Sequence, residues 1–394
     1  MTSTASEDIA VTSQARSAVA AMSMCVALLI ASEFLPVSLL TPIASDMHAT
    51  QGMAGQAISV SGLFAVITSL IIPSFAARFD RRAVLTSLCA VMLCSLILIA
   101  SASNFLILIA ARALLGITVG GFWALATATV MRMVPDEFVP KALGMLYMGN
   151  ALAAALAAPL GSYLGGIIGW RGVFWALVPF VILNLIWLWR KLPSIKPDSS
   201  RQSTKVLTLL KRRNIAFAML AVTLSYMGAF TTFTYLRPFL ENVTHADNTQ
   251  LSLLLLGLGL AGFIGTYCAS RLIGKHLYLT LAALPLTLSA VTLLLLFTGR
   301  HLWPTALVLL LWGIVNASIS VVWALWLSKG VADNPEAGGG LMVAFIQLAI
   351  MLGASLGGSL LDHFSLTTTW YGGVIILLAA AVSVGSGKRL RTIK

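Results

Sequence analysis

The chain has 394 residues, of which 59% are hydrophobic and only 10% charged, and its mean hydropathy is +0.94. Soluble domains carry about 25% charged residues, so the composition excludes a soluble enzyme and describes a helical integral membrane protein. A formal charge of +12 suggests a nucleic-acid partner only until its distribution is read, because the basic residues follow membrane topology.

Before the first apolar run the chain carries Glu7, Asp8 and Arg16, with no basic start ahead of a short cleavable core, so no signal peptide is expected. A membrane span needs about 20 mostly apolar residues. Twelve runs qualify: 18–41, 54–77, 83–102, 105–131, 142–167, 172–190, 214–240, 249–272, 277–298, 303–328, 339–361 and 369–387. The predicted fold is all-α, with a bundle of six spans at 1–190, a basic linker at 191–213 and a second bundle of six at 214–394. Cys25, Cys89, Cys94 and Cys268 all fall in apolar runs without metal-ligand spacing, so no metal or cofactor is expected.

Lysine and arginine set the orientation. With the N-terminus in the cytoplasm, Arg16, Arg78, Arg81, Arg82, Arg132, Lys141, the run from Arg190 to Arg213, Arg271, Lys275, Lys329 and the tail from Lys388 to Lys394 all lie inside. Only Arg171 and Arg300 face out, while Arg112 and Arg237 lie within spans. Both termini are therefore expected in the cytoplasm.

The two halves read as repeats. Trp123-Ala-Leu and Trp323-Ala-Leu are offset by 200 residues, as are Trp170 and Trp370, and Phe34-Leu-Pro36 has a loose echo in Leu236-Arg237-Pro238. Parallel six-span halves place a substrate site between them near the midplane.

A glutamate within the first span, Glu33, has no cheap place there: insertion scales put a charge at a helix centre on the order of 3 kcal/mol. Arg112 in span four lies at a similar depth, each residue about 10 Å below the outer end of its helix at 1.5 Å per residue. The two form a candidate pair for proton coupling. A carboxyl group gains a proton on burial and loses it beside a cation, so a site alternating between the two conditions loads and releases protons. A static salt bridge that only fixes the fold is the other reading. The position matching Arg112 in the second half is Trp312.

Trp123, Thr127, Asn150, Tyr226, Phe233, Tyr235, Asn316, Trp323 and Gln347 are the candidate lining of a substrate cavity. Trp303 and Trp370, near span ends, fit interfacial anchors, and Arg237 fits a snorkelling side chain. Span five, with Gly149, Pro159 and Gly161, is dense in small residues that let helices approach closely, and proline allows a bend. It suits a seam that opens and closes, or packing alone.

These residues carry a resemblance over essentially the whole chain. Arg112 with Gly116 and Gly120, the Pro159 span, and the loop Arg78-Phe-Asp80-Arg81-Arg82 resemble the motifs of drug:proton antiporters of the major facilitator superfamily. The resemblance implies proton transfer at Arg112 and conformational gating by Asp80, Arg81, Arg82 and the Pro159 span. The loop departs from the family pattern, with Pro73 and Asp80 at its glycine positions and Ala77 at its aspartate.

A nearer likeness, to the superfamily's purine ribonucleoside efflux pumps, lies in Glu33-Phe-Leu-Pro-Val-Ser-Leu-Leu-Thr-Pro42, Gly120-Gly-Phe-Trp-Ala124, Val139-Pro-Lys-Ala-Leu143, Ala158-Pro-Leu-Gly-Ser162 and Ile168-Gly-Trp-Arg171. It implies a monomeric, proton-driven exporter of nucleosides such as inosine in the bacterial inner membrane. A hydrophobic drug or a sugar is the alternative substrate. An intramembrane enzyme is a remote third reading: no His-Glu-x-x-His pair or phosphate-binding loop occurs, and His48, His245, His276, His301 and His363 lie in loops or near span ends.

Overall fold

The computed structural model describes residues 2–76, 78–196, 206–272, 277–331, 333 and 335–391. Ala77, the linker stretch 197–205, Lys275, His276 and Lys394 lie outside the described residues. Among the described residues the regular structure is entirely helical.

The first half consists of α1 (Thr2–Ser38), α2 (Leu40–Asp46), α3 (Gln51–Ala76), α4 (Arg81–Ala100), α5 (Phe105–Met133) and α6 (Val139–Lys191). The second consists of α7 (Arg213–Phe233), α8 (Leu236–Asn242), α9 (Asn248–Leu272), α10 (Leu277–Thr298), α11 (Leu302–Gly330), α12 (Pro335–His363) and α13 (Leu366–Val384). Helix α6 has 53 residues, about 80 Å at 1.5 Å per residue, whereas a bilayer core is about 30 Å thick. It breaks at Gly169, whose φ of 71° and ψ of 164° are not helical, so it crosses twice. The twelve expected spans are all present, and both termini lie at one end of the bundle.

Spans one and seven are each interrupted. Each stops and restarts as a seven-residue helix, at Leu39 before α2 and at Tyr235 before α8. Proline is the cause: Pro42 and Pro238 occupy the third position of each short helix, where a missing N–H is tolerated but the preceding turn cannot continue unbroken.

Close helix contacts within each half rest on small residues. A Cβ on Gly120 of α5 would sit 2.0 Å from the Ala65 carbonyl oxygen of α3. The matching pair in the second half is α9 against α11. Between the halves, α3 packs along α12 and α6 along α9.

Candidate functional site

The halves meet in layers, counted from the end opposite the termini. The outermost layer is polar. Asp362, at the end of α12, accepts hydrogen bonds from the Thr50 hydroxyl at 2.5 Å and the Gly52 N–H at 3.0 Å. A residue of one half thus caps the first turn of α3 in the other, where free N–H groups favour an anion. Arg237 of α8 pairs with Glu241 at 2.7 Å and donates to the Ser38 carbonyl across the interface. Glu241 also accepts from Thr41 of α2 at 2.6 Å. Asn248 donates to the Ser162 carbonyl at 3.2 Å.

Arg237 does not snorkel. Only 7% exposed, it serves a carbonyl that lacks a helical donor, since residue 42, four positions beyond Ser38, is proline. Trp370 is likewise no interfacial anchor: it is fully buried and stacks on Phe239 at 4.5 Å between ring centroids, whereas Trp303 is exposed.

Beneath the polar layer lies an apolar plug: Val37 of α1, Ile58 of α3, Phe230 of α7, and Ile350 and Ala354 of α12. Phe34 stacks on Phe230 with centroids 6.1 Å apart, and Phe233 stacks on Trp312 at 5.9 Å.

Glu33 comes next, buried and facing the second half. Its Oε1 accepts from Gln347 Nε2 of α12 at 3.2 Å. Arg112, with no exposed surface, lies behind it. The two side chains make no ion pair; the guanidinium instead donates to the carbonyls of Ala57 at 3.1 Å, Ser32 at 2.9 Å and Glu33 at 3.5 Å. Ser32 lies four residues before Pro36, so its carbonyl also lacks a helical donor. The depth estimate brings the two charges to one level, but the arginine joins α5 to α1 and α3 through backbone. Buried hydroxyls of Ser59 and Ser61 on α3 and the Oε1 of Gln347 have no hydrogen-bond partner among the described residues.

The remaining candidates divide. Trp123 stacks on Tyr147 at 5.7 Å, and Thr127 reaches the Tyr147 hydroxyl at 3.3 Å. Tyr226 donates to Ser320 at 2.8 Å. Asn150, Phe233 and Asn316 are half-buried. Two candidates sit in packed interior. Tyr235 is fully buried at the closed end and donates to the Ala354 carbonyl at 2.7 Å. Trp323 is buried against Trp326 at 5.9 Å.

Asp80 and Arg82 make hydrogen bonds around the start of α4 and the end of α6. Asp80 caps α4 by accepting from the Arg82 N–H at 2.8 Å, and it binds the Ile195 N–H at 3.3 Å and the Ser194 hydroxyl. Arg81 N–H donates to the Ile195 carbonyl at 3.1 Å, and Arg82 binds the Trp189 carbonyl. Burial pushes the Asp80 carboxyl up, but the hydrogen bonds from Ser194, Arg82, Ile195 and Ala83 outweigh it and hold the group below its ordinary value. Gly149 lies against the Ser23 carbonyl of α1 and Gly161 against Leu35. Pro159 supplies no donor to the Ala155 carbonyl, and there α9 seats Gly259, whose Cβ would lie 2.4 Å from that oxygen.

Sequence reasoning missed Asp362, Glu241, Thr41 and Thr50. A faint signal existed: Thr41 and Glu241 are separated by the repeat offset of 200, and both neighbouring prolines were visible.

A sequence profile described as Major Facilitator Superfamily matches residues 22–339. The chain belongs to the Major Facilitator Superfamily. Two similar relatives of this facilitator span nearly all of it. The purine ribonucleoside efflux pump NepI of Salmonella paratyphi B is 39% identical over 93% of this chain and 93% of its own. A protein of Pseudomonas aeruginosa named transcription regulatory protein OpdE is 46% identical over 93% of this chain and 92% of its own. Among solved structures, a bacterial homologue of the human lysosomal transporter Spinster, inward-facing and unoccupied, superposes with a TM-score of 0.76 at 14% identity. It covers 95% of this chain and 98% of its own, and it supports the fold. The chain is thus a multi-pass membrane protein of a transporter superfamily, and its relatives include nucleoside efflux pumps.

Proposed function

We propose that this facilitator exports purine ribonucleosides such as inosine in exchange for protons, working as a monomer in the bacterial inner membrane with both termini cytoplasmic. The observation that carries this reading is Glu33. It is 4% exposed, lies at mid-depth where the halves meet, and is bonded to a residue of the opposite half. An intramembrane carboxyl so placed is where a proton alters the contact between moving bodies. Arg112 holds span one in register behind it. Tyr226, Asn316, Asn150 and Trp123 supply the hydrogen-bonding and stacking surfaces that a base and a ribose need.

The closed layers lie opposite the termini, which under this orientation is the outer face. The name of the Pseudomonas relative favours a second reading, an effect on transcription. Under that reading the chain acts on transcription from the membrane, through what it binds or carries.

Reconstituted protein with an imposed pH gradient should accumulate inosine against its own gradient, and Glu33→Gln should abolish the gradient-driven component while retaining nucleoside binding. Equal transport by both proteins would assign Glu33 a structural role. No inosine movement by the wild type would return the substrate to drugs or sugars, which competition assays then separate.

A further inference from the structure

The contact between Glu33 and Gln347 has an unused half. Gln347 is 5% exposed, its Nε2 donates to Glu33, and its Oε1 is buried without a partner among the described residues. A carboxylate only accepts hydrogen bonds, so it satisfies the amide N–H and nothing else. A carboxylic acid both donates and accepts, and against a primary amide it forms a closed pair of two bonds, O–H to carbonyl and N–H to carbonyl.

The other surroundings keep their charge and their partners. Arg112 of α5 is the charged group near Glu33, and it is tied to three backbone carbonyls. Helix α3 has no ionisable side chain, and those of α12 lie at its ends. On α6 the nearer half carries Lys141 at its start and two tyrosines, while α7 carries Tyr226, which bonds Ser320. None of these replaces Gln347 as the partner of the Glu33 carboxyl.

We propose that Gln347 is the positioning residue through which the proton on Glu33 sets the contact between the halves. The neutral acid engages both amide groups and holds shut the end opposite the termini. The carboxylate engages one and lets that end open. No covalent bond other than O–H changes: the proton leaves Glu33 for water, the O–H to Oε1 bond is lost and the N–H to Oε1 bond of Glu33 stays. The proposal rests on Glu33 as proton carrier, and it gives the exchange its direction. Protonation adds a second bond to the single one seen in this closed structure, and proton release frees the molecule to reopen with substrate.

The test is the distance between spin labels at Met53→Cys and Phe364→Cys, exposed positions on the two halves at the closed end, in full-length protein in liposomes from pH 5 to 8. The native cysteines are replaced by alanine. In the otherwise wild-type protein the closed-to-open ratio should rise about tenfold with acidification, the worth of one net hydrogen bond. Glu33→Gln, whose amide also makes two bonds with Gln347, should stay closed throughout. Gln347→Leu should flatten the response while infrared spectra still show Glu33 titrating. Where Gln347→Leu fails to insert, Gln347→Met offers the same reach without the amide.

A pH response retained in the Gln347 variants but lost in Glu33→Gln would overturn the role of Gln347 and leave Glu33 as proton carrier. A response absent from the wild type, or unchanged in Glu33→Gln, would overturn both assignments. Opening on acidification would overturn the proposed direction.

Discussion

Two intramembrane arginines share one device. Arg112 and Arg237 each donate to a carbonyl four residues before a proline, Ser32 before Pro36 and Ser38 before Pro42. A guanidinium presents five donors in a rigid fork, which suits backbone left open by a missing N–H. The prolines and arginines were visible in sequence, but their pairing was not, because it depends on helix rotation. Asp80 shows the same limit. The resemblance implied gating; that its carboxylate caps α4 and binds Ser194 and Ile195 just beyond α6 was not visible in the sequence. Its pKa is held below the ordinary carboxylate value near 3.8, so the stability it lends is complete above that value and lost as pH falls through the lowered one. Asp80→Asn should therefore remove a loss of thermal stability in acid, read as a flatter melting temperature in detergent below about pH 4.

Among the elements, α3 and α5 meet backbone to backbone, with Gly120 against the Ala65 carbonyl. Backbone cannot move aside as a side chain can. Gly120→Ala should cost about 1–3 kcal/mol through overpacking, seen as a lower melting temperature. Gly144 of α6 is the control. A Cβ there meets nothing within 4 Å, and Gly144→Ala should leave stability unchanged or raise it by up to about 1 kcal/mol through helix propensity. That span four is glycine-rich was plain in the sequence. Which of its glycines touches backbone was not, since a span's length does not fix its rotation about its own axis.

For the whole molecule, the closed end is held by contacts of unequal weight. Asp362 is exposed, and exposed pairs contribute only about 0.2–1 kcal/mol. Arg237 is 7% exposed, and its removal would strand the Ser38 carbonyl with no donor. Arg237→Leu should therefore open this end by tenfold or more, a lost hydrogen bond to a charged group being worth about 1.5–3 kcal/mol. Asp362→Ala should open it only on the order of two- to fivefold. The measurement is the rate at which a membrane-impermeant thiol reagent, added on the side opposite the termini, labels Ile350→Cys in the apolar plug. Equal rates in both variants would mean that the two latches carry equal weight.

Composition and hydropathy were enough to determine the class and the twelve crossings, because the bilayer imposes the same requirement on every span. The position of Glu33 was legible for a related reason: a charge in an apolar run stands out wherever it falls. The tertiary structure decided the partners. Glu33 bonds Gln347, 314 residues away, Asp362 caps a helix of the other half, and Trp323 and Tyr235 turn into packed interior. Such contacts depend on how each helix is rotated and how far the two halves have closed. Rotation is set by side-chain packing with neighbours distant in sequence, which hydropathy along one chain does not encode.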